Sequence, residues 1–244
     1  MNMNISGSGS IPAGEYKEIS ISGSGKLHGF IRCENFGTSG SSAGESIECI
    51  ECFQVSGSSS FSGSISAEFV GVSGSLSCGE IDAEGEVEIS GSAKCGKNIK
   101  CDILSVSGSI KVGGGVEAEK VKIKGVIDCA GLLNSDIIEI KFDRGMNIGS
   151  IGGCKIRITR ENRRKFAEKL PIISAFVKKV KDNVCVETFV EGDEIALECV
   201  TCPRVTGRVV SIGAGCEIDL VQYEEAVEIS EDAKVGRTEK IRLD

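Results

Sequence analysis

The stretch VGVSGSLSCGEIDAEGEVEISG at positions 70–91 contains the two features that decide the fold. An apolar residue, a serine and a glycine occur in that order at 72–74 and again at 89–91. The same glycine recurs every 17 residues, at Gly23, Gly40, Gly57, Gly74, Gly91, Gly108 and Gly125. A fixed period of this length is typical of a solenoid, in which each repeat stacks on its neighbours.

Within each period the apolar residues occur in pairs two positions apart, so both members lie on one face of a strand. One pair precedes the glycine, at Ile19/Ile21, Phe53/Val55, Val70/Val72, Val87/Ile89, Leu104/Val106, Val121/Ile123 and Ile138/Ile140. A second follows it, at Leu76/Cys78, Ala93/Cys95, Ile110/Val112 and Ile127/Cys129. A third lies between them, at Ile31/Cys33, Ile65/Ala67, Ile99/Cys101 and Val116/Ala118, and is displaced by one residue near Ile47 and Ile81. Three inward pairs per period predict an all-β, three-sided parallel β-helix with coils about 4.8 Å apart.

The repeating glycine is expected at a corner of each coil. Either a positive φ or a close approach of two backbones would require glycine there, and the adjacent serine suits a turn. The sequence does not distinguish these two reasons.

Composition narrows the functional class. The chain has 244 residues, 32 glycines, 3 prolines, no tryptophan and a formal net charge of -8. The negative charge argues against nucleic acid as the main partner. No N-terminal apolar run resembles a signal peptide, and no stretch of about 18 apolar residues could span a bilayer. We therefore expect a cytoplasmic protein.

The twelve cysteines are distributed along the repeat. Cys78, Cys95 and Cys129 share one inward position, and Cys33 and Cys101 share another, where other coils have valine or alanine. Such exchange predicts reduced thiols that pack as small apolar side chains. The pairs Cys49/Cys52 and Cys199/Cys202 have the spacing of zinc ligands, but residues three apart on a strand point in opposite directions. We expect no metal and no cofactor, although the sequence leaves metal binding by either pair open.

Residues 159–183 interrupt the repeat. The segment 155–181 has ten basic residues and only two acidic ones. Thr159 suits the N-cap of a helix that ends near Leu170, and Pro171 separates it from a second short amphipathic helix. The sequence therefore predicts a basic helical insert.

Three interpretations of this insert remain open. It could be a helical hairpin packed on the rod with solvated charges, an amphipathic element on an anionic membrane, or a contact with the acidic body of a neighbouring subunit. The candidate membrane or partner contacts are Arg160, Arg163, Arg164, Lys165, Lys169, Phe176, Lys178 and Lys179.

The paired pattern returns after the insert, at Val184/Val186, Ile195/Leu197, Val200/Cys202, Cys216/Ile218, Val221/Tyr223, Val227/Ile229 and Ala233/Val235. The predicted organisation is therefore a β-helix over 1–158, an insert over 159–183 and a resumed β-helix over 184–244. About a dozen coils would form a rod about 60 Å long.

The C-terminal region carries a family resemblance. The runs EGDEI at 191–195 and VTGRV at 205–209, then IGAGCEI at 212–218 and the repeated Ser-Gly-Ser motif, resemble the bactofilin-like polymer-forming cytoskeletal proteins of bacteria. The resemblance implies a right-handed β-helix whose subunits join end to end without nucleotide, often at the inner face of the cell membrane. It implies no catalytic residues. The longer solenoid and the basic insert differ from many members of that family.

Enzymatic β-helices are the alternative class. Hexapeptide acyltransferases have a period of six and need a catalytic histidine, and γ-type carbonic anhydrases need three zinc-binding histidines. This chain has one histidine, His28, which we expect at the surface or at a corner. The corner serines have no His/Asp partner in the sequence pattern, and the outward positions show no obvious charged cluster. We expect a non-enzymatic, self-associating scaffold; the alternatives are a β-helical enzyme acting on carbohydrate or acyl groups and a binding module of discrete oligomeric state.

Overall fold

The computed structural model describes residues 1–161 and 183–242 of the chain. It is an all-β solenoid of about 13 turns with about 17 residues per turn, and 76% of its residues are in strands. The strands that pair between turns are parallel, as the register of β10 with β13 illustrates. The predicted parallel β-helix is confirmed. The described residues contain no helix, and the predicted helical insert falls almost entirely on residues outside them.

The first half of the solenoid contains twelve strands: β1 (Asn2–Ile5), β2 (Ser8–Ile11), β3 (Gly14–Ile21), β4 (Ser24–Leu27), β5 (Phe30–Thr38), β6 (Ser41–Gly44), β7 (Ser46–Val55), β8 (Ser58–Phe61), β9 (Ser64–Ala67), β10 (Phe69–Val72), β11 (Ser75–Cys78) and β12 (Glu80–Ala83).

The second half contains the remaining strands: β13 (Glu86–Ile89), β14 (Ser92–Cys95), β15 (Ile99–Val106), β16 (Ser109–Val112), β17 (Val116–Ile123), β18 (Val126–Phe142), β19 (Met146–Arg160), β20 (Val184–Val186), β21 (Phe189–Leu197), β22 (Val200–Ile212), β23 (Glu217–Ile229) and β24 (Lys234–Lys240).

Each turn presents three faces. Face A contains β13 and the segments stacked on it, face B contains β14, and face C contains residues 99–101 of β15. Long strands such as β15 continue from face C into face A, so the C–A corner is a bend within a strand. The apolar pairs of all three faces point into one continuous core.

The displacement that the sequence predicts near Ile47 is present in the register of face C. Ile31 pairs with Ile47 and Ile47 pairs with Ile65, so the spacing there is 16 residues and then 18. In these coils faces A and B keep the spacing of 17, as the pairs Val70 with Val87 and Ser75 with Ser92 show. The extra residue is accommodated in β7, where the register with β5 shifts after Cys33.

The core is filled by side chains of complementary size. The rings of Phe36 and Phe53 stack with centroids 4.8 Å apart, and Phe61 packs edge-on against both. The inward positions on face B beside these rings are occupied by the small residues Ser42 and Ser59. Their hydroxyl oxygens are 2.6 Å apart. All five of these side chains are buried. Small residues on face B thereby leave room for the three rings in the core.

The repeating glycine is required by close backbone approach. The glycines with positive φ are Gly14, Gly29 and Gly215, none of which belongs to the repeat. A Cβ atom on Gly74 would overlap the carbonyl oxygen of Gly57 in the preceding coil. That oxygen accepts a hydrogen bond of 2.8 Å from the Ser75 amide. The corners therefore stack directly on one another, which decides between the two predicted reasons.

The insert leaves the solenoid at the corner between faces A and B. Strand β19 runs through Arg160, and its residues Thr159 and Arg160 pair with Lys141 and Phe142. The prediction that Thr159 caps a helix is wrong, because this residue belongs to a paired strand. Strand β19 ends at Arg160, and the next strand, β20, begins at Val184.

Candidate self-association surfaces

The N-terminal coil has one unpaired side. Strand β1 pairs with β3 and strand β2 pairs with β4. No described strand pairs with the other edge of either one. Inside this coil Ile11 and Tyr16 are buried, and the Tyr16 hydroxyl donates a hydrogen bond of 2.9 Å to the Pro12 carbonyl oxygen. Met3 is half-buried and packs on the core from the open side. The coil therefore ends in a row of backbone groups beside an apolar interior.

The C-terminal coil is open in the same way. Strand β24 pairs with β23, and no described strand pairs with its other edge. Ile229 is 41% exposed, whereas Ile212, its register partner one coil below, is 1% exposed. Both are isoleucines at the same inward position, so the difference arises from the lack of a covering coil among the described residues. Unpaired strand edges of this kind are templates for pairing with another chain.

Some charged side chains of the last coils form ion pairs along the outside of the rod. Lys234 Nζ lies 3.1 Å from Glu217 Oε1 in the coil below, and Arg208 Nη1 lies 3.1 Å from Glu225 Oε1. These ion pairs are exposed and so contribute little to stability.

An acidic column runs along the C–A corner. Seven consecutive coils each place one carboxylate there, and six of these residues are exposed while Glu34 is half-buried. They are Glu34, Glu51, Glu68, Glu84, Asp102, Glu119 and Asp136. With coils about 4.8 Å apart, this is a continuous line of negative charge. The expectation that the outward positions have no charged cluster is wrong. The signal was present in the sequence, because six of the seven acids recur at the 17-residue period and Glu84 is displaced by one.

Among the predicted insert contacts, the described part of the chain includes only Arg160. Its amide donates a hydrogen bond of 3.3 Å to Glu198 Oε2, and its Nη1 lies 4.0 Å from Cys199 Sγ. Arg160 is thus held against the next coil at the base of the insert. The other seven predicted contacts (Arg163, Arg164, Lys165, Lys169, Phe176, Lys178 and Lys179) lie outside the described residues.

The cysteines are free thiols that mostly line the core. Cys33, Cys78, Cys95, Cys101 and Cys129 are buried, as their repeat positions predict. Burial raises the pKa of the Cys101 thiol to about 12, so it is neutral and unreactive near neutral pH. Cys33 Sγ and Cys49 Sγ are 3.5 Å apart in adjacent coils.

The two Cys-x-x-Cys pairs do not assemble a metal centre in the described ranges. In each pair one thiol is buried and the other is half-buried: Cys49 with Cys52, and Cys202 with Cys199. The described residues contain no group of three or more His, Cys, Asp or Glu side chains arranged to hold a metal ion.

His28 lies where the sequence predicts it. It is exposed at the corner between β4 and β5, and its amide donates a hydrogen bond of 2.9 Å to the Ile11 carbonyl oxygen. A shallow groove on face A is lined by Gln54, Phe69, Gly71 and Glu88. Glu88 is the one carboxylate in that lining, whereas glycoside hydrolysis uses a pair of carboxylates.

No helix in the described ranges is long and apolar enough to cross a membrane. Comparisons of the chain with protein-family models, with curated proteins and with solved structures gave no match.

Proposed function

We propose that this chain is a structural protein, a rod that self-associates through its ends into a scaffold or filament of the bactofilin-like kind. The observation that carries the proposal is the exposure of Ile229 beside an edge of β24 with which no described strand pairs, matched at the other end of the rod by edges of β1 and β2 that no described strand covers. Strand pairing between two copies would cover Ile229 and these strand edges.

The body of the rod supports an architectural role. Its core is continuous from Ile5 to Val221, and each coil is hydrogen-bonded to the next. Repeats that stack on their neighbours in this way form one extended body, which suits an architectural role. The C-terminal motifs that resemble bactofilin-like proteins, at 191–195 and 205–218, lie in the same solenoid and add to this proposal.

The acidic column opposes association of the rods side by side. Two rods placed side by side with their C–A corners together would bring like charges into contact, which opposes lateral clumping. The uninterrupted acidic row is limited to the coils from Glu34 to Asp136, so the repulsion acts along the side of the rod. Association along the axis is therefore favoured over association between the sides.

The first experiment is electron microscopy of the untagged protein beside sedimentation over a range of concentrations. Filaments or sheets, with a sedimentation coefficient that rises with concentration, are the expected result. A monodisperse small oligomer at every concentration would overturn filament formation, and binding of a ligand in the face A groove would then be examined with carbohydrates.

The basic insert is proposed to attach the polymer to the inner face of the cell membrane. Its supporting observations are the ten basic residues in 155–181 and its departure from one corner of the rod, where it does not interrupt the stacked faces. Each basic residue near an anionic surface contributes about 1 kcal/mol.

Co-sedimentation with phosphatidylserine vesicles tests this attachment. Changing both Lys178 and Lys179 to Glu should abolish binding, while the same change at Lys122 and Lys124 on the body of the rod should leave most of it. Equal loss in both variants would mean that overall charge, and not the insert, controls the interaction.

A further inference from the structure

Two pairs of buried cysteines face each other in adjacent coils. Cys33 pairs in register with Cys49 on face C, and their Sγ atoms are 3.5 Å apart. Cys78 pairs in register with Cys95 on face B, and a hydrogen bond joins the two thiols. We propose that each pair is a site of reversible oxidation, at which a peroxide converts the two thiols into a disulfide that ties one coil to the next. The proposal concerns the rod itself and does not depend on self-association.

The backbone holds both pairs at a distance suitable for a disulfide. Adjacent strands of a sheet are about 4.8 Å apart, and the Cα atoms of disulfide-bonded cysteines are usually about 4.4–6.8 Å apart. The sulfur atoms of Cys33 and Cys49 need to approach from 3.5 Å to about 2.0 Å. A change of side-chain torsion and a small shift of the strands provide this movement. The fold therefore needs no rearrangement of its coils to accept the bond.

The first pair lies beside an irregularity in the ladder. Between the register pairs Cys33 with Cys49 and Asn35 with Cys52, the single residue Glu34 faces two residues of β7. One of the two is Ile50, which is 53% exposed. An extra residue of this kind locally disrupts the hydrogen-bond ladder. The strand can adjust there, and a small oxidant can reach the buried sulfur atoms through local opening of this corner.

The second pair lies beside a similar irregularity. Ile81 pairs in register with Ile99, although Cys78 is three residues before Ile81 and Cys95 is four residues before Ile99. The corner that follows Cys95 therefore contains one residue more than the corner below it. Both pairs thus occur where adjacent coils differ in length by one residue, and a covalent bond at these positions would join the coils where their backbones match least well.

The reaction balances with a peroxide as the oxidant. The hydrogen bond with Cys49 lowers the pKa of the Cys33 thiol, although burial opposes this effect. Attack of the Cys33 thiolate on a peroxide oxygen breaks the O–O bond, gives a sulfenic acid and releases hydroxide. The Cys49 sulfur then attacks the sulfenic sulfur, the S–O bond breaks and water leaves. The two thiols have lost two electrons and two protons, and hydrogen peroxide has become two molecules of water.

Two other cysteines provide internal controls. Cys101 and Cys129 are also buried, on face C and face B respectively. Cys101 pairs in register with Ala118, and Cys129 pairs with Val112 on one side and Ile148 on the other. Because neither faces a cysteine in these pairings, oxidation should leave both as thiols.

Peroxide treatment of the folded full-length chain tests the proposal, followed by alkylation in urea and mass spectrometry of the peptides. We expect two cross-linked peptides, one from each proposed pair, and alkylated thiols at the two control cysteines. A dithiol reductant should return all four paired cysteines to alkylatable thiols.

Three results would overturn the proposal. The first is a different pairing, such as a bond between Cys49 and Cys52. The second is sulfinic acid in place of disulfides at the proposed pairs. The third is four paired cysteines that stay reduced at a peroxide concentration that oxidises the exposed thiol of Cys154.

The variants Cys33→Ala and Cys78→Ala separate the two sites. Each should lose one bond and keep the other, and circular dichroism checks that both variants keep the wild-type strand content. A bond between coils restricts the unfolded chain, so oxidation should raise the urea midpoint of the wild-type protein and raise that of each variant less. It should leave the midpoint of the double variant unchanged. An equal rise in the double variant, or no rise in the wild-type protein, would show that these pairs do not tie the coils together.

Discussion

Phe61 lies against the backbone of Gly44 in the neighbouring coil, so closely that a Cβ atom on Gly44 would be 2.9 Å from Phe61 Cε1. Residue Gly44 ends β6 and Phe61 ends β8, at equivalent positions one coil apart. The ring occupies the volume that a side chain at Gly44 would need. This relationship is one of several in which a small residue in one coil accommodates a large residue in the next.

We expect Gly44→Ala to lower the free energy of unfolding by about 1–3 kcal/mol through overpacking. In the Phe61→Leu background the same substitution should cost less, because the smaller side chain leaves room for the added methyl group. A double-mutant cycle in urea measures the coupling between the two sites. Additive effects would show that the methyl group is accommodated elsewhere.

Gly74→Ala tests the glycine column. The added methyl group would meet the carbonyl oxygens of Gly57 and Ser56, which cannot move without breaking the stacked corner. We expect a loss of about 2–4 kcal/mol in the free energy of unfolding. Gly37→Ala is the matched control, since no heavy atom lies within 4 Å of its Cβ position, and it should change stability by less than about 0.5 kcal/mol. A similar loss in both variants would contradict the close-approach explanation.

Val106→Asp tests the inward assignment. Val106 is 2% exposed in the core, so a carboxylate there would be buried without a partner. We expect a loss of more than about 3 kcal/mol, concentrated in the neighbouring coils. Hydrogen exchange followed by mass spectrometry would locate the loosened coils. Ser107→Asp, one residue further along and exposed, should exchange like wild type; if Val106→Asp does too, its side chain is not in the core.

The buried thiols predict a loss of stability at alkaline pH. Burial raises the pKa of Cys101 to about 12 and those of Cys202 and Cys216 to about 11, against 9.0 for an unperturbed thiol. Above about pH 9 the unfolded chain therefore releases protons that the folded chain retains. The stability of the fold is complete below that pH and decreases as the pH rises towards the folded-state values.

The expected decrease is about 1 kcal/mol per thiol and pH unit, measured as the urea midpoint between about pH 8 and pH 10. Cys101→Ala should make this dependence shallower, because it removes one of the contributing groups. Cys154→Ala, which removes an exposed thiol, is the control. A pH dependence unchanged by Cys101→Ala would mean that other groups dominate alkaline unfolding.

The acidic column predicts that removing charge stabilises the rod. Replacing Glu68 and Glu84 with Gln and Asp102 with Asn should raise the free energy of unfolding by about 0.2–0.5 kcal/mol per replaced charge, and the melting temperature should rise with it. The triple variant should also associate side by side more readily, which light scattering detects. Glu117→Gln is the control, because Glu117 pairs in register with Lys100, and its loss should not stabilise. If added salt raises wild-type stability no more than that of the triple variant, repulsion along the column is negligible.

Much of the fold could be predicted because the same pattern of inward and outward residues recurs in every coil. A single pair such as Val87/Ile89 is compatible with many structures, but its recurrence at a fixed spacing indicates that all such pairs share one side of a stack. The same recurrence identified the buried cysteines. The acidic column follows the same period, although the apolar pairs that define the fold do not predict it.

The structure could not be predicted from the sequence where the 17-residue repeat ends. Thr159 has the character of an N-cap, but its pairing with Lys141 places it in a strand, since hydrogen bonds to the preceding coil outweigh local propensity. The exposure of Ile229 could not be inferred either, because its sequence context is that of a core residue. It is uncovered because no coil among the described residues stacks on it.

The sequence by itself determined the three-sided solenoid, its period, its inward columns and the place of the basic insert, because spacing along the chain is a direct record of which side chains share a face. Tertiary structure alone decided why the corner residue is glycine, how charges align between coils and which apolar residues remain open at the two ends. Those properties depend on distances between coils and on which coil has no neighbour, and neither quantity is encoded in a single repeat.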